Sequence, residues 1–147
     1  MVYKEECRDL FSVSDDYYFA QCIGADFKMG KGIAVEFNNR FNTKGLLILN
    51  NPAYLSEYID NEYAGDCILQ DKVLNLITKR YYYNKPTYVS MREALVKMKS
   101  ICLEHGIKKV AMPTIGCGLD RLSWLNVSVI VQRVFADTDI EILVCKV

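Results

Sequence analysis

One glycine-containing loop places the strongest constraint on how this chain can fold. It follows the apolar run Val110-Ala111-Met112, which is typical of a buried strand, and it precedes a helical pattern that begins near Ser123. The two glycines of its sequence, Pro113-Thr114-Ile115-Gly116-Cys117-Gly118-Leu119-Asp120, allow a sharp turn and a close approach to a ligand. Free backbone N–H groups and the positive end of the helix dipole favour a bound anion there. An ordinary glycine-containing turn is the alternative interpretation.

A second glycine-rich segment, Met29-Gly30-Lys31-Gly32, precedes a predicted helix over 33–41. Ile33, Phe37 and Phe41 are spaced four apart in it, so they share one helix face. Small residues at a helix start form a second candidate cradle for phosphate, and the glycines of a flexible turn are the alternative. Two such helix starts in one domain suit a diphosphate group.

Strand-like and helix-like patterns alternate along the chain, most clearly in its second half. This alternation predicts an α/β domain with a largely parallel central sheet and helices on both faces. The predicted strands lie near 2–7, 17–23, 65–71, 73–78, 110–112 and 140–147.

Two helices in the second half have recognisable ends. The first is predicted to begin with a capping box at Ser90–Glu93 and to stop at Gly106, and Ser123 is predicted to cap the second. Each carries an apolar stripe, formed by Met91, Ala94, Leu95, Met98 and Cys102 in the first and by Val127, Ile130, Val131 and Val134 in the second.

The composition indicates a single globular domain over 1–147. The 147 residues, 51% of them hydrophobic, are enough to bury a sizeable core. Lysine plus arginine and aspartate plus glutamate each number 18, so the overall charge gives no support for bulk binding to nucleic acid or a membrane. Any cationic patch must therefore be local. Nothing in the sequence demands an oligomer, and we expect a monomer.

The six cysteines occur singly, and the first ten residues contain no signal-peptide apolar core. We interpret the cysteines as reduced thiols of an intracellular protein, in the nucleus or the cytoplasm. The chain has a single histidine, His105, so it offers few ligands for a zinc site built from cysteine and histidine. His105 precedes Gly106 at a predicted helix end, where a cation suits the helix dipole.

In an α/β domain with a parallel sheet, ligands bind in the crevice beyond the carboxyl ends of the strands. In the predicted sheet, the segment 24–32, Lys79 at a strand end and the loop 114–120 would therefore face one cleft. A partly deprotonated lysine is a nucleophile toward a sugar aldehyde, and Asp120 could shuttle the proton. A solvated lysine at a strand end is the alternative. Tyrosines of the neighbouring loop, RYYYNKPTY at 80–88, could stack on a base.

Several motifs occur in an order that resembles a known family. They are Cys22-Ile23, Met29-Gly30-Lys31-Gly32-Ile33-Ala34, Leu76-Ile77-Thr78-Lys79, Lys85-Pro86-Thr87-Tyr88 and Ile115-Gly116-Cys117-Gly118-Leu119-Asp120-Arg121-Leu122. The chain resembles the macrodomain family from about Asp9 to its C-terminus, most closely the terminal ADP-ribose protein glycohydrolase branch, which is also known for O-acetyl-ADP-ribose deacetylation. The combination of Thr78-Lys79 with the last motif is specific to that branch.

The resemblance implies a three-layer α/β/α macrodomain with a mixed, largely parallel sheet that binds ADP-ribose without a metal ion or cofactor. It implies that Lys79 attacks the anomeric carbon of the distal ribose and that Asp120 assists and then resolves the adduct. The implied substrates are ADP-ribose esters of acidic side chains on proteins and O-acetyl-ADP-ribose, with ADP-ribosylated nucleic acid ends left open. The implied binding residues are Asp9 at the adenine, together with Leu10, Gly24, Met29, Gly30, Lys31, Gly32, Ile33, Ala34, Thr78, Ile115, Gly116, Cys117, Gly118 and Leu119.

Three positions depart from the family pattern and bear on substrate preference and affinity. Arg8 stands where a glycine is usual, Gly24 where this branch tends to have serine, and Thr114 where we expect arginine. Two other functions stay open at this point. They are a module that binds ADP-ribose without turnover, which would need neither Lys79 nor Asp120, and a phosphatase acting on ADP-ribose 1″-phosphate.

Overall fold

A computed structural model describes residues 1–59, 61 and 64–147. Its strands are β1 (Val2–Cys7), β2 (Tyr18–Gly24), β3 (Asp66–Gln70), β4 (Val73–Lys79), β5 (Lys109–Met112) and β6 (Glu141–Lys146). Its helices are α1 (Ile33–Phe41), α2 (Thr43–Asn50), α3 (Tyr54–Glu57), α4 (Tyr88–His105) and α5 (Trp124–Phe135), and a short 3-10 helix, Leu10–Ser12, follows β1.

The strands form one sheet in the order β1-β6-β5-β2-β4-β3. Every neighbouring pair is parallel except β3 and β4, which run antiparallel. The predicted mixed, largely parallel sheet is therefore confirmed. The parallel strands end at a common edge of the sheet, so the loops that follow them converge there.

Helices cover both faces of the sheet, as the side chains of β6 show, because they are buried alternately on one face and on the other. Ile142 and Val144 are buried against α4 and α5, whereas Leu143 and Cys145 are buried with Phe37 of α1 on the other face. Strands buried on both faces are apolar throughout, which explains their nearly continuous hydrophobic runs. This arrangement is the predicted three-layer α/β/α architecture.

Helix α4 begins one turn before the predicted capping box, so that prediction is wrong. The box is formed by Thr87 and Ser90: the Thr87 side chain accepts from the Ser90 backbone N–H, and the Ser90 hydroxyl accepts from the Thr87 N–H. The extra turn buries Ser90 and Met91 against the sheet, which outweighs the competing spacing to Glu93. The predicted stripe of α4 is buried and Gly106 ends the helix in a left-handed conformation, as expected.

Helix α5 starts next to Ser123, as predicted, but the Ser123 side chain makes no capping hydrogen bond. The backbone N–H of Ser123 instead donates to the Tyr88 hydroxyl at 3.0 Å, which ties the start of α5 to the start of α4.

All six cysteines are free thiols. None of the described helices is both long and apolar enough to cross a membrane.

Candidate active site

A cleft of about 720 Å³ opens at the carboxyl edge of the sheet, where β2, β4 and β5 end. Its walls are formed by segment 22–34, by the loop that follows β4 and by loop 113–120, which follows β5. The structure therefore brings together the three segments that the sequence analysis assigns to one cleft.

The cleft contains a lysine–aspartate pair. Nζ of Lys79 lies 2.5 Å from Oδ1 of Asp120, and each side chain is 11% exposed. Lys79 is the last residue of β4, and Asp120 lies in the loop after β5. In the sheet, β2 lies between β4 and β5, so the two residues come from strands on either side of β2. The pair is sheltered by the protein yet accessible from the cleft, which suits a nucleophile and its proton acceptor.

An irregularity between β2 and β4 precedes Lys79 directly. Ile23 pairs with Ile77, but the next residue, Gly24, pairs with Lys79, so Thr78 has no partner in the register. One extra residue in a strand changes the direction of the side chains that follow it, and such bulges occur next to active sites. The shift places Lys79 at the end of the paired region, beside the cleft.

Loop 113–120 presents unpaired backbone donors. The N–H groups of Ile115 and Cys117 donate to carbonyls inside the loop. Those of Gly116, Gly118, Leu119 and Asp120 have no partner among the residues that the structure describes. A row of free N–H groups attracts an anion, so the backbone of this loop suits the anion-binding role that its sequence predicts.

The start of α1 presents a second set of donors. Gly32 is the N-cap of α1 at φ +64°, a conformation that favours glycine, and it offers no side chain to cap the helix. The N–H groups of residues 29–34 consequently lack partners within the described part of the chain. The helix dipole adds positive potential at this point, an arrangement that favours a bound anion.

Two thiols lie close to the lysine–aspartate pair, but neither is an activated nucleophile. Burial raises the pKa of Cys22 well above its ordinary value, and the nearby Asp120 carboxylate raises it further. Burial and Asp120 raise the pKa of Cys117 to about 11, and its Sγ donates to the Ile115 carbonyl. Both cysteines are protonated near neutral pH, so Lys79 is the better candidate for nucleophilic chemistry.

Most of the predicted site residues line this cleft. Lys79 and Asp120 are joined in its walls by Gly24, Gly30, Lys31, Gly32, Ile33, Ala34, Ile115, Gly116, Gly118 and Leu119.

The other predicted residues lie outside the cleft walls. Leu10 and Met29 are buried in apolar clusters, and the Thr78 hydroxyl is buried without a partner among the described residues. Cys117 belongs to loop 113–120, but it is partly buried and packs against the main core. Asp9 is exposed at the end of β1, where one carboxylate oxygen caps the short 3-10 helix by accepting from the Phe11 N–H. Their binding roles stay predictions.

Other wall residues were not predicted as site residues. Lys85 donates from Nζ to the Leu119 carbonyl at 2.7 Å and so joins the loop after β4 to loop 113–120. Tyr82 and Tyr83 belong to the loop that was noted only for possible stacking, and nothing in the periodicity of the sequence places them in the wall. The additional wall residues are Cys22, Ile23, Lys28, Tyr82, Tyr83, Lys85, Pro113 and Thr114.

Comparison with solved structures defines the class of fold. The chain superposes on the macrodomain of DarG from Mycobacterium tuberculosis with a TM-score of 0.82 over 98% of this chain and 97% of that one, at 18% identity. It also superposes on DarTG from Thermosipho africanus in complex with ADP-ribose, with a TM-score of 0.75, 18% identity and coverage of 99% and 42%. The fold is a macrodomain.

Curated relatives define the family more narrowly. The chain is 43% identical to ADP-ribose glycohydrolase OARD1 of Bos taurus over 92% of this chain and 86% of the relative, and 42% identical to its human counterpart over the same shares. The chain belongs to the OARD1 family of ADP-ribose glycohydrolases and is a hydrolase. No family model matches it.

Proposed function

We propose that this protein binds ADP-ribose in the cleft and cleaves ADP-ribose esters with Lys79 as the nucleophile and Asp120 as the proton-transfer group. The observation that carries the proposal is the contact of 2.5 Å between Nζ of Lys79 and Oδ1 of Asp120 in a cleft bounded by two sets of free N–H groups. Membership of the OARD1 family agrees with this reading. The substrates are ADP-ribose linked to acidic side chains of proteins and O-acetyl-ADP-ribose.

The order of strands suggests how the ligand lies. Along the edge of the sheet, β1, β6, β5, β2 and β4 follow one another. Neighbouring strands are about 4.8 Å apart, so the distance from β1 to β4 is roughly 19 Å. Adenine would lie near Asp9 after β1, the diphosphate between loop 113–120 and the start of α1, and the distal ribose at Lys79. The second carboxylate oxygen of Asp9, which has no partner among the described residues, would accept from the adenine amino group.

The reaction proceeds in two steps. Asp120 takes a proton from Nζ of Lys79, because only the neutral amine is nucleophilic. The nitrogen then bonds to the anomeric carbon of the distal ribose while the bond from that carbon to the ester oxygen breaks, and the free carboxylate leaves. Water next adds to the anomeric carbon and the carbon–nitrogen bond breaks; the proton held by Asp120 returns to Nζ of Lys79, and the proton that the water loses is released to solvent. The products are ADP-ribose and the unmodified carboxylate.

The arrangement favours this reaction over the two alternatives. A module that only binds ADP-ribose has no use for a sheltered lysine–aspartate pair, since the free N–H groups alone can hold a diphosphate. A phosphatase would place its nucleophile at the terminal phosphorus rather than at the anomeric carbon. Product analysis separates the two reactions, because the esterase releases a carboxylate and ADP-ribose whereas the phosphatase releases inorganic phosphate.

The test is incubation with O-acetyl-ADP-ribose and with a peptide ADP-ribosylated on glutamate, followed by identification of the products. Lys79→Ala is expected to abolish release of ADP-ribose from both substrates. Lys97→Gln is the matched control, because Lys97 is an exposed lysine of α4 outside the cleft, and this variant should keep the parent rate. Turnover by Lys79→Ala at the parent rate would overturn the lysine mechanism, and binding of ADP-ribose without release from either ester would favour the binding module.

A further inference from the structure

The loop after β4 presents an exposed aromatic surface at the cleft. Tyr82 and Tyr83 both line the cleft, yet they are 50% and 62% exposed. The rings of Tyr81 and Tyr83 stack at 5.3 Å with planes 3° apart, and Tyr82 meets Tyr83 edge to face at 5.4 Å. Exposed rings in an ordered array are available to a partner, since aromatic side chains contribute large contact areas at little entropic cost.

The backbone holds this aromatic surface in place. The Tyr82 N–H donates to Oδ2 of Asp26 at 2.9 Å, and the Tyr81 N–H donates to Oδ1 of Asn84 at 2.9 Å. Gly24 lies directly beneath, where a Cβ atom would be 3.1 Å from the Tyr81 carbonyl carbon. Truncating the Tyr82 side chain removes none of these contacts, so the ring can be tested without releasing the loop.

Positive charge accompanies the rings. Nζ of Lys28 lies 4.7 Å from the centre of the Tyr82 ring. Lys28, Lys31 and Lys85 all line the cleft, and none of them forms an ion pair with another residue that the structure describes. Among the described residues, Asp120 is the acidic residue of the wall and is paired with Lys79. The neighbouring Asp26 carboxylate accepts from the backbone N–H groups of Lys28 and Tyr82, so four wall lysines face two carboxylates that already have partners. In a chain with 18 cationic and 18 anionic side chains, this cleft has a local excess of positive charge.

The aromatic surface lies on the side of the cleft where we expect the leaving group. β4 lies on the side of β2 that faces away from β5, β6 and β1. If the nucleotide lies along the edge from β1 to β4, as proposed above, the group attached to the distal ribose leaves beyond Lys79, toward Tyr82 and Tyr83. These residues then contact whatever carries the ADP-ribose, and not the ADP-ribose itself.

We infer that Lys28, Tyr82 and Tyr83 bind the polypeptide that carries the ester and favour a modified carboxylate within an acidic sequence. The inference rests on the proposed function. The three residues supply one cation and two phenol hydroxyl groups, which suit one or two neighbouring carboxylates of a peptide. Two cations lie over these rings among the described residues, Lys28 at Tyr82 and Arg80 at Tyr81, the latter with Cζ 5.7 Å from the ring centre. A nucleic acid strand would require a longer row of cations along its backbone.

The experiment compares three substrates: a peptide ADP-ribosylated on one glutamate with acidic neighbours, the same peptide with neutral neighbours, and O-acetyl-ADP-ribose. We expect the parent protein to hydrolyse the acidic peptide with a higher kcat/KM than the neutral one, and this preference to shrink at high ionic strength. Lys28→Gln should lower kcat/KM for the acidic peptide roughly threefold, and Tyr82→Ala about fivefold. Both changes should lower O-acetyl-ADP-ribose turnover far less than turnover of the acidic peptide, because the two residues are inferred to contact the polypeptide. Lys97→Gln is the matched control, and Tyr82→Phe, which keeps the ring, should lose only the part of the preference that depends on the phenol hydroxyl.

Each failure has a distinct signature. Equal rates on the acidic and neutral peptides, with O-acetyl-ADP-ribose still cleaved, would overturn the inference and leave the proposed function intact. An equal loss on O-acetyl-ADP-ribose in Tyr82→Ala would show that the ring binds ADP-ribose, which also overturns the inference. A Tyr82-dependent preference for an ADP-ribosylated oligonucleotide end over the acidic peptide would assign the surface to nucleic acid instead. Absence of turnover with all three substrates would overturn the proposed function itself.

Discussion

Gly116 lies so close to Met91 that a Cβ atom at position 116 would be 2.6 Å from Cε of Met91. Met91 is fully buried in the first turns of α4, so its side chain has no solvent to move into. Gly116 also has φ +74°, in the left-handed region that disfavours side chains. Loop 113–120 thus rests directly on the start of α4, and the shape of the anion cradle depends on this contact.

Gly116→Ala should therefore destabilise the protein by about 1–3 kcal/mol and weaken ADP-ribose binding. Gly118→Ala is the matched control for stability, because Gly118 has open space around its Cβ position and no positive φ. Urea denaturation and calorimetry would measure the two effects. Equal unfolding free energies for the two variants would contradict the claim that the Met91 contact shapes the loop.

The broad fold could be predicted from the sequence because several separate patterns along the chain predict the same architecture. The stripes of α4 and α5 and the apolar runs of the central strands follow from burial against a sheet covered on both faces. The start of α4 could not be predicted securely, since Thr87–Ser90 and Ser90–Glu93 offer the same spacing one turn apart. Helices α2 and α3, within the stretch 43–59, are short and carry no clear period.

Only those parts of the candidate site that depend on local sequence patterns could be predicted. The glycine loops and Lys79 stand out because of their positions at strand ends. The contact between Lys79 and Asp120 joins residues 41 positions apart and depends on β2 lying between β4 and β5. Strand order is a tertiary property that no local spacing encodes. The same holds for Tyr82 and Tyr83, whose place in the wall depends on the packing of their loop on Gly24.

A buried polar pair on neighbouring strands should be a strong determinant of stability. Nε2 of Gln21 donates to Oδ1 of Asn75 at 2.9 Å, and both residues are fully buried. Gln21→Leu leaves the Asn75 oxygen without its donor, so we expect a loss of about 1–3 kcal/mol of unfolding free energy. Adding Asn75→Leu should cost much less than the sum of the single changes. Strict additivity in the thermodynamic cycle would contradict coupling through this hydrogen bond.

The cysteines should differ in their reactivity toward an alkylating reagent. Burial, reinforced by the Asp120 carboxylate, raises the pKa of Cys117 to about 11, and the same causes raise that of Cys22. A raised pKa means that the reactive thiolate becomes abundant only as pH increases, so both sites should react more slowly near neutral pH than the exposed Cys7. Peptide mass spectrometry after timed alkylation measures this. Rapid modification of Cys117 at neutral pH would contradict it.

Asp9→Ala should weaken ADP-ribose binding more than binding of ribose 5-phosphate. Under the proposed function Asp9 contacts only adenine, and loss of a hydrogen bond to a charged group costs about 1.5–3 kcal/mol. Asp9 also caps the 3-10 helix through Phe11, so the unfolding free energy of the variant must be measured alongside. Equal losses for the two ligands would show that Asp9 acts through the fold and not through adenine.

Lys79 and Asp120 should behave as one catalytic unit. Lys79→Ala should abolish release of ADP-ribose while leaving its binding largely intact, because the free N–H groups of the two loops hold the diphosphate. Asp120→Ala should also block turnover. The double variant should be little worse than either single one, since groups that act together are non-additive.

Asp120→Ala offers the most direct view of the chemistry. If attack by Lys79 is faster than resolution of the adduct, this variant accumulates a covalent Lys79–ADP-ribose species, which intact-mass spectrometry detects as one added ADP-ribosyl group. Lys79→Ala combined with Asp120→Ala is the control, because it lacks the nucleophile and should show no added mass. An adduct of equal yield in that double variant would place the covalent bond on another residue and overturn the role of Lys79.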